Sequence, residues 1–184
     1  MNDSPALKFP VSVNNLPQKG IIVTIKADER ERGALARDHG LEAVKFFAAE
    51  FHVLPWKKQG VKVQGRIDAD IVQSCIATLE PLDARIAEKV DTVFVPEDSK
   101  LARIRLDESG EMLIDAEGPD MPETFSGDHI DIGAVAEEFF DLAIDPYPRK
   151  PGLPEQILPQ ETVTPDVEKP VSPFAKLSHW KKKP

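Results

Sequence analysis

Few residues in this chain have the types and spacing that bond-making chemistry needs. Asp128, His129 and Asp131 in "GDHIDIG" crowd oxygen and nitrogen donors into four positions, a set that suits a divalent metal. The same residues standing before an apolar run are equally what caps a helix, and no metal is assigned to them. Cys75 is the single cysteine; as a nucleophile it would need a base and an orienting group, and no local motif supplies them. Its place in an alternating apolar run makes it a small core residue. Glu137 and Glu138 adjoin on a helical pattern and point about 100° apart, poor geometry for a shared acid–base site. Phosphate-cradling glycine loops, a nucleophile elbow and paired cysteines are missing from the sequence. The expectation is therefore a non-enzymatic protein without a cofactor.

Binding chemistry is better represented. "PWKKQG" places Trp56 beside Lys57 and Lys58, and Lys62 and Arg66 follow on the outward parity of the next run. Stacking an unpaired base on an aromatic ring is worth about 1–3 kcal/mol, and lysines beside it meet phosphate, so Trp56, Lys57, Lys58, Lys62 and Arg66 are candidate RNA contacts. A second set lies in "SPFAKLSHWKKKP". There Phe174, Leu177 and Trp180 recur at i, i+3 and i+6 ahead of Lys181, Lys182 and Lys183. A peptide this short is not a stable helix alone. It suits an anchor that folds on docking, either onto its own domain or into a partner's groove, with the three lysines against phosphate.

The net charge of −9 opposes a nucleic-acid partner at face value, but the acid is concentrated. Residues 111–147 carry eleven acidic side chains and no lysine or arginine, whereas residues 1–75 carry eleven basic against nine acidic and residues 148–184 seven against four. Such asymmetry guides partners better than the total. Within the acidic block, Glu137, Glu138 and Asp141 make a candidate face for a basic ribosomal or assembly protein. No apolar run approaches a bilayer span and "MNDSPALKFP" has no signal-peptide pattern, so a soluble, cytoplasmic protein with no membrane partner is expected.

The elements that must position these residues are strands, for the most part. "LKFPVSV" and "GIIVTIKA" are short β-branched runs separated by turn residues. "DERERGALARDHG" changes period: Asp28 and Glu31 have capping-box spacing and Gly40 suits the stop, predicting a helix from about Glu29 to His39. "LEAVKFFAAEFHVLP" fits a helical face through Leu41, Val44, Phe47 and Phe51. Alternation of Phe47, Ala49, Phe51 and Val53 favours a strand ended by Pro55 and points His52 at solvent. "VKVQGRIDADIVQSC" puts Val61, Val63, Ile67, Ala69, Ile71 and Cys75 on one face. Its length predicts bending at Gly65 or a bulge. After Pro81, Ile86, Val90 and Phe94 share parity and complete a curled hairpin.

"LARIRLDESGEMLID" reads as two short strands around a turn. "DIGAVAEEFFDLAID" has a helical stripe of Ile132, Val135, Ala136, Phe139, Leu142 and Ala143, with Glu137, Glu138 and Asp141 opposite and Asp131 as cap. Prolines then recur too densely for regular structure. The expected architecture is α+β: a curled, mainly antiparallel sheet forming a partial barrel, a short early helix and a late acidic amphipathic helix. One domain over residues 1–150 precedes a proline-rich tail over 151–184.

Several landmarks occur in a distinctive order. They are Gly65 leading an alternating strand to Cys75, the Leu79-Glu80-Pro81 turn, a Glu-Glu pair in a helix running to Asp145-Pro146, and a Pro-Phe-Ala-x-Leu tail ending in lysines. In this arrangement the chain resembles the YceD-like family, linked to accumulation of large-subunit ribosomal RNA. The resemblance implies a non-enzymatic factor acting on that RNA or on a pre-ribosomal particle. Thr78 stands where many relatives carry a second cysteine, and "PYPRKPG" replaces a further one, so no thiol or zinc role carries over. The rival readings are a protein-binding adaptor using the 111–147 block, and a metal hydrolase at Asp128, His129 and Asp131.

Overall fold

A computed structural model describes residues 5–57, 59–99, 101 and 121–152. Two units divide the chain, Met1–Leu153 and Pro154–Pro184, and the described residues all belong to the first. In chain order its elements are β1 (Pro10–Ser12), β2 (Ile21–Lys26), α1 (Glu29–Asp38), β3 (Ala43–Trp56), β4 (Gly60–Ser74), β5 (Pro81–Pro96), β6 (Glu123–Phe125), β7 (His129–Asp131) and α2 (Ile132–Leu142). The main sheet runs β2-β3-β4-β5-β6, antiparallel except for the last pair, and β1 pairs with β7 in a separate two-stranded ribbon.

Period-two burial builds the sheet's inner face. Phe47, Phe51 and Val53 of β3, Val61, Val63, Ile67 and Ile71 of β4, and Ile86, Val90 and Phe94 of β5 are all buried. Both helices contribute to the same core: Leu35 from α1, and Ile132, Val135, Ala136 and Phe140 from α2. The Phe140 ring meets Phe47 edge-on at 5.4 Å, and burying a side chain of this size contributes about 1.5–3 kcal/mol. Helix α1 starts as its capping residues dictate. Asp28 Oδ1 accepts the Glu31 N–H at 2.8 Å, and Glu31 Oε2 accepts the Asp28 N–H at 2.8 Å. It ends one residue early, at Asp38, with His39 as C-cap.

Several expectations need correction. Among the described residues the sheet is open, with β2 and β6 as its edges, and is not closed into a barrel; β2 has six residues and β6 three. Pairing of β4 runs unbroken through Gly65, and a bulge lies on its partner β3 between Val44 and Phe46. The extra residue, Lys45, lets Val44 and Phe47 both face inward although their spacing is odd. That bulge is also why this segment carried a helix-like i, i+3 spacing. Pro55 does not end β3, whose pairing continues to Trp56 opposite Gly60. On α2 the fully buried aromatic is Phe140 rather than Phe139, and Leu142 is 74% exposed. The two strands expected around the "DESG" turn fall outside the described residues.

Candidate nucleic-acid interface

The β3–β4 hairpin closes with a three-residue connection in which Lys57 and Gln59 have φ of 38° and 61°. Left-handed conformations at two non-glycine positions of a tight loop turn the chain sharply, and Lys57 is exposed at the hairpin end. Trp56 is half-buried against the opposite strand: a Cβ added at Gly60 would lie 2.9 Å from its Cε3. Above the ring sits Lys57 Nζ, 4.4 Å from the centroid. Trp56 thus covers the hairpin end, with the ammonium of an exposed lysine over its ring. Lys58 lies outside the described residues.

Lys62 and Arg66 stand on the solvent face of β4, as their parity requires, but both are committed to carboxylates of the same sheet. Lys62 Nζ is 3.0 Å from Asp91 Oδ1, and Gln64 Nε2 donates to the other oxygen of Asp91 at 2.9 Å. Arg66 Nε and Nη2 grip both oxygens of Asp68, at 2.7 and 2.5 Å. These contacts hold the Asp91 and Asp68 carboxyls below the usual range and push the Arg66 guanidinium up. Cross-strand register extends the pattern, with Glu50 opposite Arg66 and Arg66 opposite Lys89. The face is an ion-pair lattice rather than a cationic surface. Exposed pairs of this kind are worth little and can exchange for phosphate. A shallow depression of about 550 Å³ crosses it, lined by Ile22, Glu50, His52, Gln64 and Arg66 among others.

On α2, the acidic face expected for a partner divides in two. Glu138 is exposed. Glu137 turns inward: its side chain is 14% exposed, its Oε2 accepts the N–H of Ala6 at 2.7 Å and of Leu7 at 3.4 Å, and its Oε1 lies 3.4 Å from His39 Nε2. Asp141 keeps more exposure but sits 2.7 Å from His39 Nδ1. His39, at the end of α1, therefore joins the two helices, and Glu137 is an internal tie instead of a free docking group. The only sequence hint was the acid's position one turn from Gly133, where the N-terminal segment crosses the helix. Its partners lie some 130 residues away.

Asp131 is likewise spent on structure. Its Oδ1 accepts the N–H groups of Phe9 at 2.7 Å, Gly133 at 2.9 Å and Ala134 at 3.4 Å, while His129 pairs with Asp128. Among the described residues no cluster of three His, Cys, Asp or Glu side chains is placed to hold a metal.

Cys75 is buried at the end of β4. Burial pushes a thiol pKa up, but here hydrogen bonds win: the Thr78 hydroxyl first, then the Lys150 N–H, then those of Thr78 and Ala77 bring it down to about 7. Neighbours in sequence could not signal this, because Lys150 arrives from the segment after α2. Phe174, Leu177, Trp180 and Lys181 to Lys183 lie outside the described residues. No helix among the described residues is long and apolar enough to cross a membrane.

Comparison with known proteins adds one match. A family model described as "Large ribosomal RNA subunit accumulation protein YceD" matches residues 63–181, from within β4 to the terminal lysines. No curated protein and no solved structure matches the chain.

Proposed function

The chain belongs to the YceD family of large ribosomal RNA subunit accumulation proteins, and from that premise we propose that it sustains this RNA by binding it, or an assembly precursor, without bond-making chemistry. The observation that carries the reading is the hairpin end, where an exposed Lys57 lies over Trp56 beyond the neutralised lattice of the sheet. An incoming phosphate draws the ammonium aside, and an unpaired base takes its place on the indole. Lys58 and the terminal Lys181 to Lys183 add positive charge to the chain, whereas Lys62 and Arg66 contribute only by exchanging Asp91 and Asp68 for phosphate.

Crosslinking in cells, followed by identification of the attached RNA and protein, tests this. Large-subunit ribosomal RNA joined near Trp56 is the expected product. Crosslinks confined to basic proteins at Glu138 and Asp141, with no RNA, would replace the reading by an adaptor that uses the 111–147 block.

A further inference from the structure

At the other end of β4, the loop from Cys75 to Glu80 displays an apolar tip. Leu79 has φ of 58° and is 78% exposed; Ile76 is 44% and Tyr147 72% exposed. A leucine in the left-handed region is disfavoured against glycine, and its exposure gains nothing from water, so neither the backbone nor the packing of the described residues accounts for it.

The loop is also braced. Cys75 N–H donates to Glu80 O at 2.9 Å, Leu79 N–H to Cys75 O at 2.8 Å, and Ile76 N–H to Pro148 O at 3.0 Å, which sets Tyr147 and the segment after α2 alongside. Gln73 Nε2 ties Asp145 O at 2.8 Å, and Lys150 Nζ reaches Glu80 at 2.7 Å. Side chains held out by a rigid loop lose little freedom on binding, as an interface anchor requires.

Charge decides the class of occupant. The rim is balanced in charge, with Lys45, Arg149 and Lys150 matched by Asp83, Asp145 and Glu80, so a polyanion finds no cationic surplus, and the Leu79 and Ile76 side chains that form the tip are aliphatic, Tyr147 being the ring beside them. We infer that this tip is a protein-docking knob, with Leu79 entering an apolar pocket on a protein of the large-subunit precursor and Tyr147 packing beside it. The inference rests on the function proposed above and extends it. Trp56 and Leu79 lie at opposite ends of β4, whose 15 residues span up to about 50 Å at roughly 3.3 Å each. The sheet then bridges an RNA contact at one end and a protein contact at the other.

Co-sedimentation of the full chain with purified large-subunit precursor particles, and with protein-free RNA extracted from them, tests the knob. Leu79→Gly relieves the backbone, so its thermal midpoint is unchanged or higher. It is expected to lose about tenfold or more in particle affinity while binding the extracted RNA like wild type. Tyr147→Ser, at an exposed position, is expected to weaken particle binding in the same selective way. Particle affinity of Leu79→Gly within twofold of wild type overturns the inference and leaves the RNA reading standing. Equal losses on particles and on extracted RNA overturn it in favour of an RNA contact. A wild-type chain that sediments with neither overturns both.

Discussion

Gly65 is where the account of the fold is most exposed to test. It sits in β4 between Phe51 of β3 and Val90 of β5. A Cβ built there would come within 2.1 Å of Glu50 O, 2.7 Å of Phe51 Cδ1 and 2.9 Å of Phe51 Cα. Two of those atoms are backbone held by ladder hydrogen bonds, and Phe51 is fully buried, so nothing nearby yields cheaply. Overpacking a well-filled core costs about 1–3 kcal/mol, and clash with a central-strand carbonyl places Gly65→Ala at or above the upper end, about 3 kcal/mol. For a domain of this size each kcal/mol moves the thermal midpoint by about 2–4 °C, giving a fall of about 6–12 °C. Urea unfolding followed by circular dichroism gives the free energy directly. Phe51→Leu added to Gly65→Ala removes the ring contact but not the carbonyl, so no rescue is expected. A Gly65→Ala loss below about 0.5 kcal/mol would refute the close approach of the two strands.

Glu137→Ala removes the acceptor of two backbone N–H groups and should cost about 1.5–3 kcal/mol, while Glu138→Ala, an exposed change, should stay within about 0.5 kcal/mol; equal effects in chemical unfolding would contradict the inward placement of Glu137. Asp28→Ala should lose about 1 kcal/mol with the capping box, checked by the same unfolding curve. Thiolate absorbance of the native protein should appear with a midpoint near pH 7 and move upward in Thr78→Ala, and a wild-type midpoint near the ordinary thiol value would contradict the hydrogen-bonded sulfur. Because the folded pKa is depressed, ionisation of Cys75 adds stability as pH rises from about 7 toward the unfolded value and loses it as pH falls through about 7. The stability gap between wild type and Cys75→Ser should therefore widen over that window.

What could be read in the residues beforehand was whatever depends on period and on neighbours in sequence. β4 and β5 alternate because one face is buried, and Asp28 with Glu31 caps α1 three residues apart. Features set by pairing register or by distant contacts were not legible. Lys62 and Arg66 look like free cations until register brings Asp91 beside one and strand geometry sets Asp68 under the other. Glu137 looks solvated until the N-terminal segment crosses α2. The bulge at Lys45 blurred strand and helix periods, and no glycine marked Leu79 as left-handed. Trp56 and Lys57 were adjacent in sequence and come together at the hairpin end, whereas the acids that pair with Lys62 and Arg66 needed the folded sheet to be seen.

Salt-dependent titration of the full chain with a labelled, protein-free fragment of large-subunit ribosomal RNA tests the central claim most directly. Binding is expected to weaken linearly in log–log form with salt, to be lost on Trp56→Ala, and to show a slope smaller by about 0.7 for each of Lys57→Glu and Lys58→Glu, the value for single strands. Binding that is absent at low salt, or whose slope ignores both lysines, would contradict it.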